Sequence, residues 1–262
     1  MIAFPIQSLM DEQACYDYLL SVLYPQGLHC PQGHPLPADQ GAHLARELGL
    51  DRARLLEHRH EMQKLIEQHF PSLLKGMTTE ADEMYQNAGE KGVNHEDPDD
   101  PPRRRANKVK GHGTWGNDRP PVAGVVGRES GEIRLAVCQH SDRETLQPFV
   151  EQRTPDTATV YTDEWRAYGH LPETGRAHAS VCHTPGQREW ARDDDGDGIR
   201  EVHCNTMEGI WTGLRNFLRL FRGVNKEYLG QYTAVFELGH NHKEITPPLL
   251  RAMMTPCTSG AT

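Results

Sequence analysis

The sequence predicts an α/β protein with a mixed β-sheet, preceded by a smaller helical region. Residues 122–126 and 132–138 are rich in β-branched side chains and are separated by a glycine-containing turn, which is typical of paired strands. Residues 158–162 have the pattern of a buried strand, and apolar residues recur at helical spacing over 206–221. Strands that alternate with helices are typical of an α/β sheet.

The composition limits the class of protein. The 262 residues are 36% hydrophobic and 25% charged, which is enough apolar material for a core and too much for a disordered chain. No run reaches the ~18 apolar residues that a membrane helix needs, and the N-terminus lacks the basic start of a secretory signal. The six cysteines are scattered singly, which favours a reducing cytosol.

The acidic net charge does not exclude a nucleic-acid partner. Eight acidic residues in two short segments, 96–100 and 193–197, account for all but one of the nine net negative charges. The rest of the chain is close to neutral and carries local basic patches, which can bind a polyanion.

The N-terminal region, residues 1–75, is predicted to be helical. Helical periodicity over 41–64 is interrupted by Gly49, which gives the helix, turn and helix of a helix-turn-helix DNA-binding unit. Arg52 and Arg59 make its second helix basic and are candidate DNA-binding residues. A plain helical hairpin explains this stretch equally well.

The following region, residues 76–250, contains the predicted sheet, and residues 251–262 form a tail. A short strand at 81–85 precedes a polar insertion at 86–121. Beyond the insertion we predict strands and helices at 122–126, 132–138, 142–150, 158–162, 177–182 and 206–221. Three strands, a helix, a strand, a helix, a strand and a last helix is the order of the ribonuclease H-like fold, whereas composition alone predicts only a mixed α/β sheet.

Three acidic residues fall where such a fold would bring them together. Asp82 lies in the first strand, Asp163 closes the fourth, and Glu208 lies in the first turn of the last helix. Charged groups at the ends of buried strands are unfavourable unless they meet a cation or a partner. Carboxylates also supply the oxygen ligands that Mg²⁺ requires. Each residue taken singly is more typical of a solvated surface acid, and the three together carry the prediction.

The residues around these acids form three motifs. The segments ADEMY at 81–85, YTDEWRAY at 161–168 and HCNTMEGIW at 203–211 match D-E-x-Y, T-D-x-W-x-x-Y and N-T-x-E-G-x-W. In this order they resemble the DDE transposases of bacterial insertion sequences, in the branch with an N-terminal zinc ribbon and helix-turn-helix. The resemblance covers essentially the whole chain, although each motif alone is weakly specific.

The resemblance implies a catalytic and metal-binding triad of Asp82, Asp163 and Glu208, which would hold Mg²⁺ or Mn²⁺ and catalyse nucleotidyl transfer. Two such metal ions lie ~3.5–4 Å apart, so the three carboxylates are expected to converge. Asn205 shares the third motif and is expected to orient Glu208. Glu83 is a supporting residue that we expect on the strand face opposite Asp82, because adjacent strand residues alternate.

The implied function is Mg-dependent cleavage and strand transfer of an insertion sequence. The implied partners are double-stranded DNA, as element ends and target, and further copies of the chain in a homodimer or higher oligomer, with no membrane partner. The implied location is the bacterial cytoplasm, in association with the nucleoid.

The zinc ribbon is where the sequence departs from this family. Cys30 and His34 are two of the four ligands that a structural zinc site needs, so we expect no bound zinc. Loss of this module leaves two alternatives open. One is a catalytically impaired, transposase-derived DNA-binding protein, and the other is a ribonuclease H-like nuclease.

The last predicted helix carries two lines of residues. A buried apolar line consists of Met207, Trp211, Leu214, Leu218 and Phe221. A second line, about 100° around the helix, consists of Glu208, Thr212, Arg215, Arg219, Arg222 and Lys226. Its four basic residues are candidate phosphate contacts, and a solvated basic face is the alternative.

Two charged segments remain open to interpretation. Arg103, Arg104 and Arg105 begin a basic run that is either a DNA-contacting arm or a solvated insertion. The segment DDDGDG at 193–198 resembles the start of a calcium loop, but the twelfth position is Cys204 instead of a bidentate glutamate. An acidic loop near the active site is therefore the preferred interpretation.

Overall fold

The structure, a computed structural model, describes residues 76–99 and 112–242, together with residues 4–5, 64, 66, 74 and 244–246. The predicted helix-turn-helix with Arg52 and Arg59, the Cys30–His34 segment and the Arg103–Arg105 run lie outside the described residues. The chain divides into two compact units, one of residues 1–69 with 242–262 and one of residues 70–241.

The elements of the described residues are, in chain order, β1 (Phe4–Pro5), β2 (Thr78–Tyr85), β3 (Pro121–Gly127), β4 (Ile133–Val137), α1 (Arg143–Glu151), β5 (Thr159–Asp163), β6 (Ala177–Val181), α2 (Asn205–Arg219), α3 (Lys226–Asn241) and β7 (Glu244–Ile245). In the first unit, β1 pairs with β7 in antiparallel orientation. Among the described residues, no helix combines the length and the apolar character needed to cross a membrane.

The second unit contains a five-stranded sheet in the order β4-β3-β2-β5-β6. The pairs β2–β3 and β3–β4 are antiparallel, whereas β2–β5 and β5–β6 are parallel. The predicted α/β class with a mixed sheet is therefore confirmed. The parallel half brings the carboxyl ends of β5 and β6 to one edge, and β2 runs in the same direction beside them.

The two faces of the sheet are covered by different helices. Met84 and Val122 pack with α2 and α3 on one face, and Ala81 and Val125 pack with α1 on the other. Side chains alternate along a strand, so neighbouring residues of β2 belong to different layers. We call these two sides the α2 face and the α1 face.

Gly124 of the central strand β3 allows α2 to approach the sheet closely. A Cβ atom at this position would lie 2.5 Å from both Met207 Cε and Trp211 Cη2. A side chain here would displace α2, because the atoms it would meet belong to buried side chains at the helix–sheet contact.

The structure corrects two expectations about helices. The predicted helix between the fourth and fifth strands consists of two 3₁₀ turns, Arg166–Tyr168 and Leu171–Thr174, because Gly169, Pro172 and Gly175 interrupt the backbone pattern. Helix α3 was not predicted. Its buried side includes the polar residues Gln231, Thr233 and Glu237, which hide the apolar periodicity that identifies an amphipathic helix.

Helix α3 also covers the edge strand β4. The Glu237 carboxylate accepts a hydrogen bond from the Leu135 N–H at 2.8 Å. The Asn241 side chain accepts from the Ile133 N–H at 2.8 Å and donates to the Ile133 carbonyl at 2.9 Å. These side chains satisfy backbone groups that would otherwise be open to another strand.

Candidate functional site

Two strand-borne carboxylates lie side by side on the α2 face. The parallel register pairs Glu80 of β2 with Tyr161 of β5, and two further residues along each strand lead to Asp82 and Asp163. The negative charge of Asp163 raises the pKa of Asp82, which is consistent with this register. The structure therefore brings together the first two residues of the predicted triad.

The side-chain hydrogen-bond donor to Asp82 is a neutral group, so it orients the carboxyl without balancing a negative charge. The Trp211 indole N–H donates to Asp82 Oδ2 at 2.8 Å. Burial, followed by the charges of Asp163 and Glu83, raises the pKa of Asp82 to about 8, and the Trp211 hydrogen bond only partly opposes this shift. The carboxyl therefore needs a cation to remain ionised at neutral pH.

Asp163 is half-buried, and loss of hydration is the largest cause of its raised pKa. The Trp165 backbone N–H donates to Asp163 Oδ1 at 2.9 Å and fixes the rotamer of the carboxylate. Glu164 disfavours the charged form, whereas His183 and His112 favour it. The two imidazoles thus partly compensate the negative charge of Asp163. Neither imidazole is among the main influences on the pKa of Asp82.

Glu83 lies on the α1 face, opposite Asp82. The Tyr168 hydroxyl donates to Glu83 Oε2 at 2.8 Å, and the Tyr85 hydroxyl donates to Glu83 Oε1 at 3.4 Å. Burial first, and then the charge of Asp163, raises the pKa of Glu83 to about 7. Glu83 therefore connects β2 to the tyrosines at positions 85 and 168 on the α1 face.

A polar and aromatic cluster next to Asp163 was not predicted. The Tyr85 hydroxyl lies 2.5 Å from His112 Nδ1 and 2.9 Å from Ser141 Oγ. The His112 ring stacks against Trp165 at 4.2 Å, and the Trp165 indole donates to the Ser141 carbonyl at 2.8 Å. Tyr85 and Trp165 are the aromatic positions of the first two motifs, which was the sequence signal for this cluster.

Glu80, which the sequence prediction missed, anchors the start of α2. Its Oε2 accepts hydrogen bonds from the N–H groups of Thr206 at 2.9 Å and Met207 at 3.1 Å. Its Oε1 accepts from Arg128 Nε at 2.8 Å. A fully buried carboxylate thus satisfies two of the free N–H groups at the N-terminus of α2. The available signal was its position two residues before Asp82, which puts both acids on one strand face.

Arg128 completes this anchor and was also missed. Its guanidinium donates to the carbonyls of Glu201 at 2.6 Å and His203 at 2.9 Å, and it lies 4.5 Å above the Tyr161 ring. One side chain therefore connects β5, the segment before α2 and the Glu80 carboxylate.

Glu208 lies on the flank of α2 that is turned away from α3. On the other flank, a Cβ at Gly213 would lie 3.3 Å from the Phe236 ring of α3. Glu208 is roughly 140° around the helix from Gly213. Helix α2 packs on β2 and β3 and α3 packs on β4, so the Glu208 flank lies on the side of α2 away from α3, and no contact between Glu208 and the two strand carboxylates is recorded among the described residues. The Glu208 side chain is exposed, as is that of Asn205 at the start of α2.

The predicted basic line is shorter than expected. Arg215 and Arg219 share the Glu208 flank, but α2 ends at Arg219. Arg222 has a φ of 52° in the following turn, and Lys226 begins α3, where its ammonium donates to Asp118 Oδ1 at 3.1 Å. The prediction of a continuous line through Lys226 is wrong. Lys91 Nζ donates to the carbonyl of Gly223, which has a φ of 107°, and this turn ends the helix.

The acidic loop is an exposed turn. Asp193, Asp195 and Asp197 each have a carboxylate oxygen within 4.8 Å of the others. Asp193 accepts hydrogen bonds from the N–H groups of Gly196 at 2.6 Å and Gly198 at 2.9 Å, so these contacts shape the loop. Cys204, at the twelfth position of the calcium pattern, is buried, and burial raises the pKa of its thiol.

Comparison with known proteins identifies one domain family. The family model of the ISXO2-like transposase domain matches residues 74–238, which include the sheet and all three motifs. A Halobacterium salinarum protein described as "Uncharacterized protein in transposable element ISH50" is 32% identical over 160 residues, which are 61% of this chain and 50% of that protein. This chain therefore spans about half the length of that relative.

Other similarities are weaker. An "Uncharacterized transposase-like protein" of Haemophilus influenzae is 23% identical over 114 residues, which are 44% of this chain and 85% of that protein. A simian T-cell lymphotropic virus intasome structure aligns with 74% of this chain and 59% of its own, at 12% identity and a TM-score of 0.35. The Mos1 mariner paired end complex with Mn aligns with 95% of this chain and 78% of its own, at 11% identity and a TM-score of 0.23. Both scores are too low to support a common fold.

Proposed function

We propose a DNA strand-cleavage and strand-transfer function for this chain, which belongs to the ISXO2-like transposase family. The proposed enzyme is a DDE-type polynucleotidyl transferase that uses Mg²⁺ or Mn²⁺. The single observation that carries the proposal is the adjacent pair of half-buried carboxylates, Asp82 and Asp163, on neighbouring parallel strands.

The chemistry of this donor set fits a divalent metal ion. Hard cations such as Mg²⁺ bind carboxylate oxygens, and two adjacent carboxylates repel each other unless a cation lies between them. Burial and mutual repulsion raise the pKa of Asp82 to about 8, so a bound divalent ion would relieve an electrostatic cost that the protein itself leaves in place. The donors from Trp211 and Trp165 fix the orientation of the two carboxylates without supplying a compensating positive charge.

We assign Glu208 as the third member of the site and Asn205 as its supporting residue. The proposal rests on the flank of α2 that carries Glu208, since this flank lies on the side of α2 away from α3. The Glu80 anchor fixes the N-terminus of α2 within two residues of Glu208. A helix fixed at this point holds Glu208 at a constant distance from the strand that carries Asp82.

Metal ions bound by these carboxylates would activate the attacking water or DNA 3′-hydroxyl and stabilise the leaving 3′-oxygen. The chain's own residues perform the positioning. Trp211 excludes water from one side of Asp82, and the Trp165 N–H sets the direction of Asp163. The strand order and the two carboxylates on neighbouring parallel strands also support the ribonuclease H-like assignment.

Double-stranded DNA is the proposed substrate. Arg215 and Arg219 follow Glu208 along the same exposed flank and are suited to phosphate contacts. Arg52, Arg59 and the Arg103–Arg105 run remain predicted DNA contacts, as does Arg222. Lys226 is withdrawn from this set, because its ammonium is bound to Asp118 and to the Trp115 carbonyl. A homodimer or higher oligomer on DNA remains a prediction.

A cleavage assay tests the function. Wild-type protein should cut duplexes that carry the ends of the encoding element when Mg²⁺ or Mn²⁺ is added, and Asp163→Asn should not. Both proteins should bind the DNA equally in the absence of metal. Binding without metal-dependent cleavage by the wild type would instead identify an impaired DNA-binding protein. Cleavage of unrelated DNA with no strand joining would identify a nuclease.

A further inference from the structure

We propose that Trp190 and His183 form a stacking platform for one unpaired nucleobase of the DNA next to Asp163. The proposal rests on the proposed function, because a base can only reach this platform if the neighbouring phosphodiester lies at the carboxylate pair. It adds a ligand contact that is separate from the metal site and the basic flank.

Trp190 has an exposure that the fold does not explain. Its side chain is 55% exposed, whereas Trp211 is 3% exposed and contributes to the core. A single exposed apolar residue is common on protein surfaces, so exposure alone does not identify a site. The neighbouring contacts provide the further observations.

The Trp190 ring is held in a fixed position. It stacks on the His183 ring with a centroid distance of 4.7 Å and an interplanar angle of 36°. The turn between them is closed by two hydrogen bonds, from the Arg188 N–H to the Thr184 carbonyl at 3.2 Å and from the Glu189 N–H to the Cys182 carbonyl at 2.9 Å. A pre-ordered aromatic surface loses little entropy when a ligand stacks on it.

The platform is attached to the edge of the sheet that carries Asp163. Asp163 pairs with Val181, the last residue of β6, and His183 follows two residues later. The Glu164 carboxylate accepts hydrogen bonds from the His183 N–H at 2.7 Å and from the Thr184 hydroxyl at 2.9 Å. His183 thus lies just beyond the strand residue that pairs with Asp163, and Trp190 stacks on its ring.

The charges around the platform favour a base over a phosphate. Glu164 and Glu189 are acidic, and the Arg192 guanidinium is paired with Glu189 at 2.8 Å and with Asp194. The acidic loop at 193–197 follows directly. A phosphate would be repelled here. An uncharged planar base of any of the four types can stack on an aromatic ring. Stacking requires the base to leave the duplex.

Fluorescence anisotropy with two matched duplexes tests the proposal. One duplex is fully paired, and the other carries a single unpaired base at the cleavage position. Both are measured without metal against the wild type, Trp190→Ala, Trp190→Phe and Asp163→Asn. Tyr228→Ala provides a control, since Tyr228 is a 39%-exposed aromatic residue on α3, which covers the opposite edge of the sheet.

We expect the wild type to bind the duplex with the unpaired base about 5- to 150-fold more tightly than the paired duplex. Trp190→Ala should lose this preference, whereas Trp190→Phe, Asp163→Asn and Tyr228→Ala should retain most of it. Thermal unfolding should show that Trp190→Ala remains folded.

Three results would overturn the platform alone, and a fourth would overturn it together with the proposed function. A preference retained in Trp190→Ala would show that the base binds elsewhere. Equal weakening for both duplexes would show that Trp190 does not contact an unpaired base. A wild type without any preference would show that no such base is held. A wild type that binds neither duplex would overturn the proposed function together with the platform, which separates the two failures.

Discussion

Two acidic regions on the same face of the sheet, a fully buried one at Glu80 and a half-buried one at Asp82 and Asp163, differ in how their charge is compensated. Glu80 is bound by two helix N–H groups, the Thr206 hydroxyl and the Arg128 guanidinium. Asp82, two residues along β2, has the Trp211 indole as its side-chain donor and lies beside the like charge of Asp163.

The comparison separates a structural carboxylate from a functional one. A buried charge is stable when opposite charges and hydrogen bonds replace its hydration, as they do for Glu80. The Asp82–Asp163 pair has this replacement only in part, from two hydrogen-bond donors and the imidazoles near Asp163, and burial raises the pKa of both carboxyls. Burial of an acid is therefore not enough to indicate function. The missing compensation is the informative property.

The largest expected effect concerns Glu80. Glu80→Gln keeps the size of the side chain but leaves Arg128 without its carboxylate, so we expect the free energy of unfolding to fall by about 3–5 kcal/mol. Urea unfolding measures this change. Glu173→Gln is the matched control, because Glu173 is an exposed acid that also pairs with an arginine, at 3.1 Å. Similar losses of unfolding free energy in the two variants would contradict the claim that the buried ion pair contributes more than the exposed one.

The next effect tests whether a metal ion supplies the compensation missing at Asp82. Mn²⁺ at 100 times its dissociation constant should stabilise the wild type by about 2.7 kcal/mol, since it binds the folded state. Asp163→Asn should remove this stabilisation, and Glu173→Gln should keep it. Thermal unfolding with and without Mn²⁺ provides the measurement. Equal stabilisation of Asp163→Asn would place the ion elsewhere, for example at the acidic loop.

The pH dependence of stability gives a signature of the opposite sign, which is small for each single pH unit. Folding raises the pKa of Asp82 from 3.8 to about 8, so the folded state binds more protons than the unfolded state between these values. Its contribution to the free energy of unfolding therefore decreases as pH rises, by up to about 1.4 kcal/mol per pH unit. Asp82→Asn should flatten the metal-free profile in this window. An unchanged profile would mean that Asp82 is already compensated.

The smallest effect concerns the basic flank beside this pair. Arg219→Ala should weaken binding to specific and random DNA about equally, and should lower the slope of log affinity against log salt by roughly 0.9 if one duplex phosphate contact is lost. Stability should change little, because Arg219 is exposed at the end of α2. Arg143→Ala on α1 is the control. An unchanged salt slope would show that Arg219 makes no phosphate contact and that the flank is a solvated basic surface.

The sequence predicted what depends on local pattern. The strands around 122–126 and 132–138 were found within about two residues, because glycine turns and β-branched runs mark them directly. The positions of Asp82 and Asp163 could be predicted because the motifs locate Asp82 within β2 and Asp163 at the end of β5, and strand order then brings them together.

Features that depend on long-range contacts could not be predicted. The Glu80–Arg128 pair joins residues that are 48 positions apart, and the local sequence around either residue does not indicate the other. Lys226 was added to the basic line because its spacing continued the helical period beyond the predicted end of the helix at 221, although Gly223 was expected to interrupt that helix. The backbone does turn at Gly223, and Lys226 starts a new helix. The inward-facing Glu237 similarly gave α3 a polar pattern that hid it.

The closed edge at β4 has a consequence for how copies of this chain can meet. Open strand edges are templates for adding further strands, and they promote self-association of the chain. Here Glu237 and Asn241 occupy the backbone groups of Leu135 and Ile133, so a neighbouring molecule would first have to displace these side chains from β4. Burial raises the pKa of Glu237 to about 7, and protonation would leave its carboxyl a weaker acceptor for the Leu135 N–H. We therefore expect mild acidification to weaken the Glu237 contact that covers β4, whereas the ionised carboxylate at higher pH keeps the Leu135 N–H occupied.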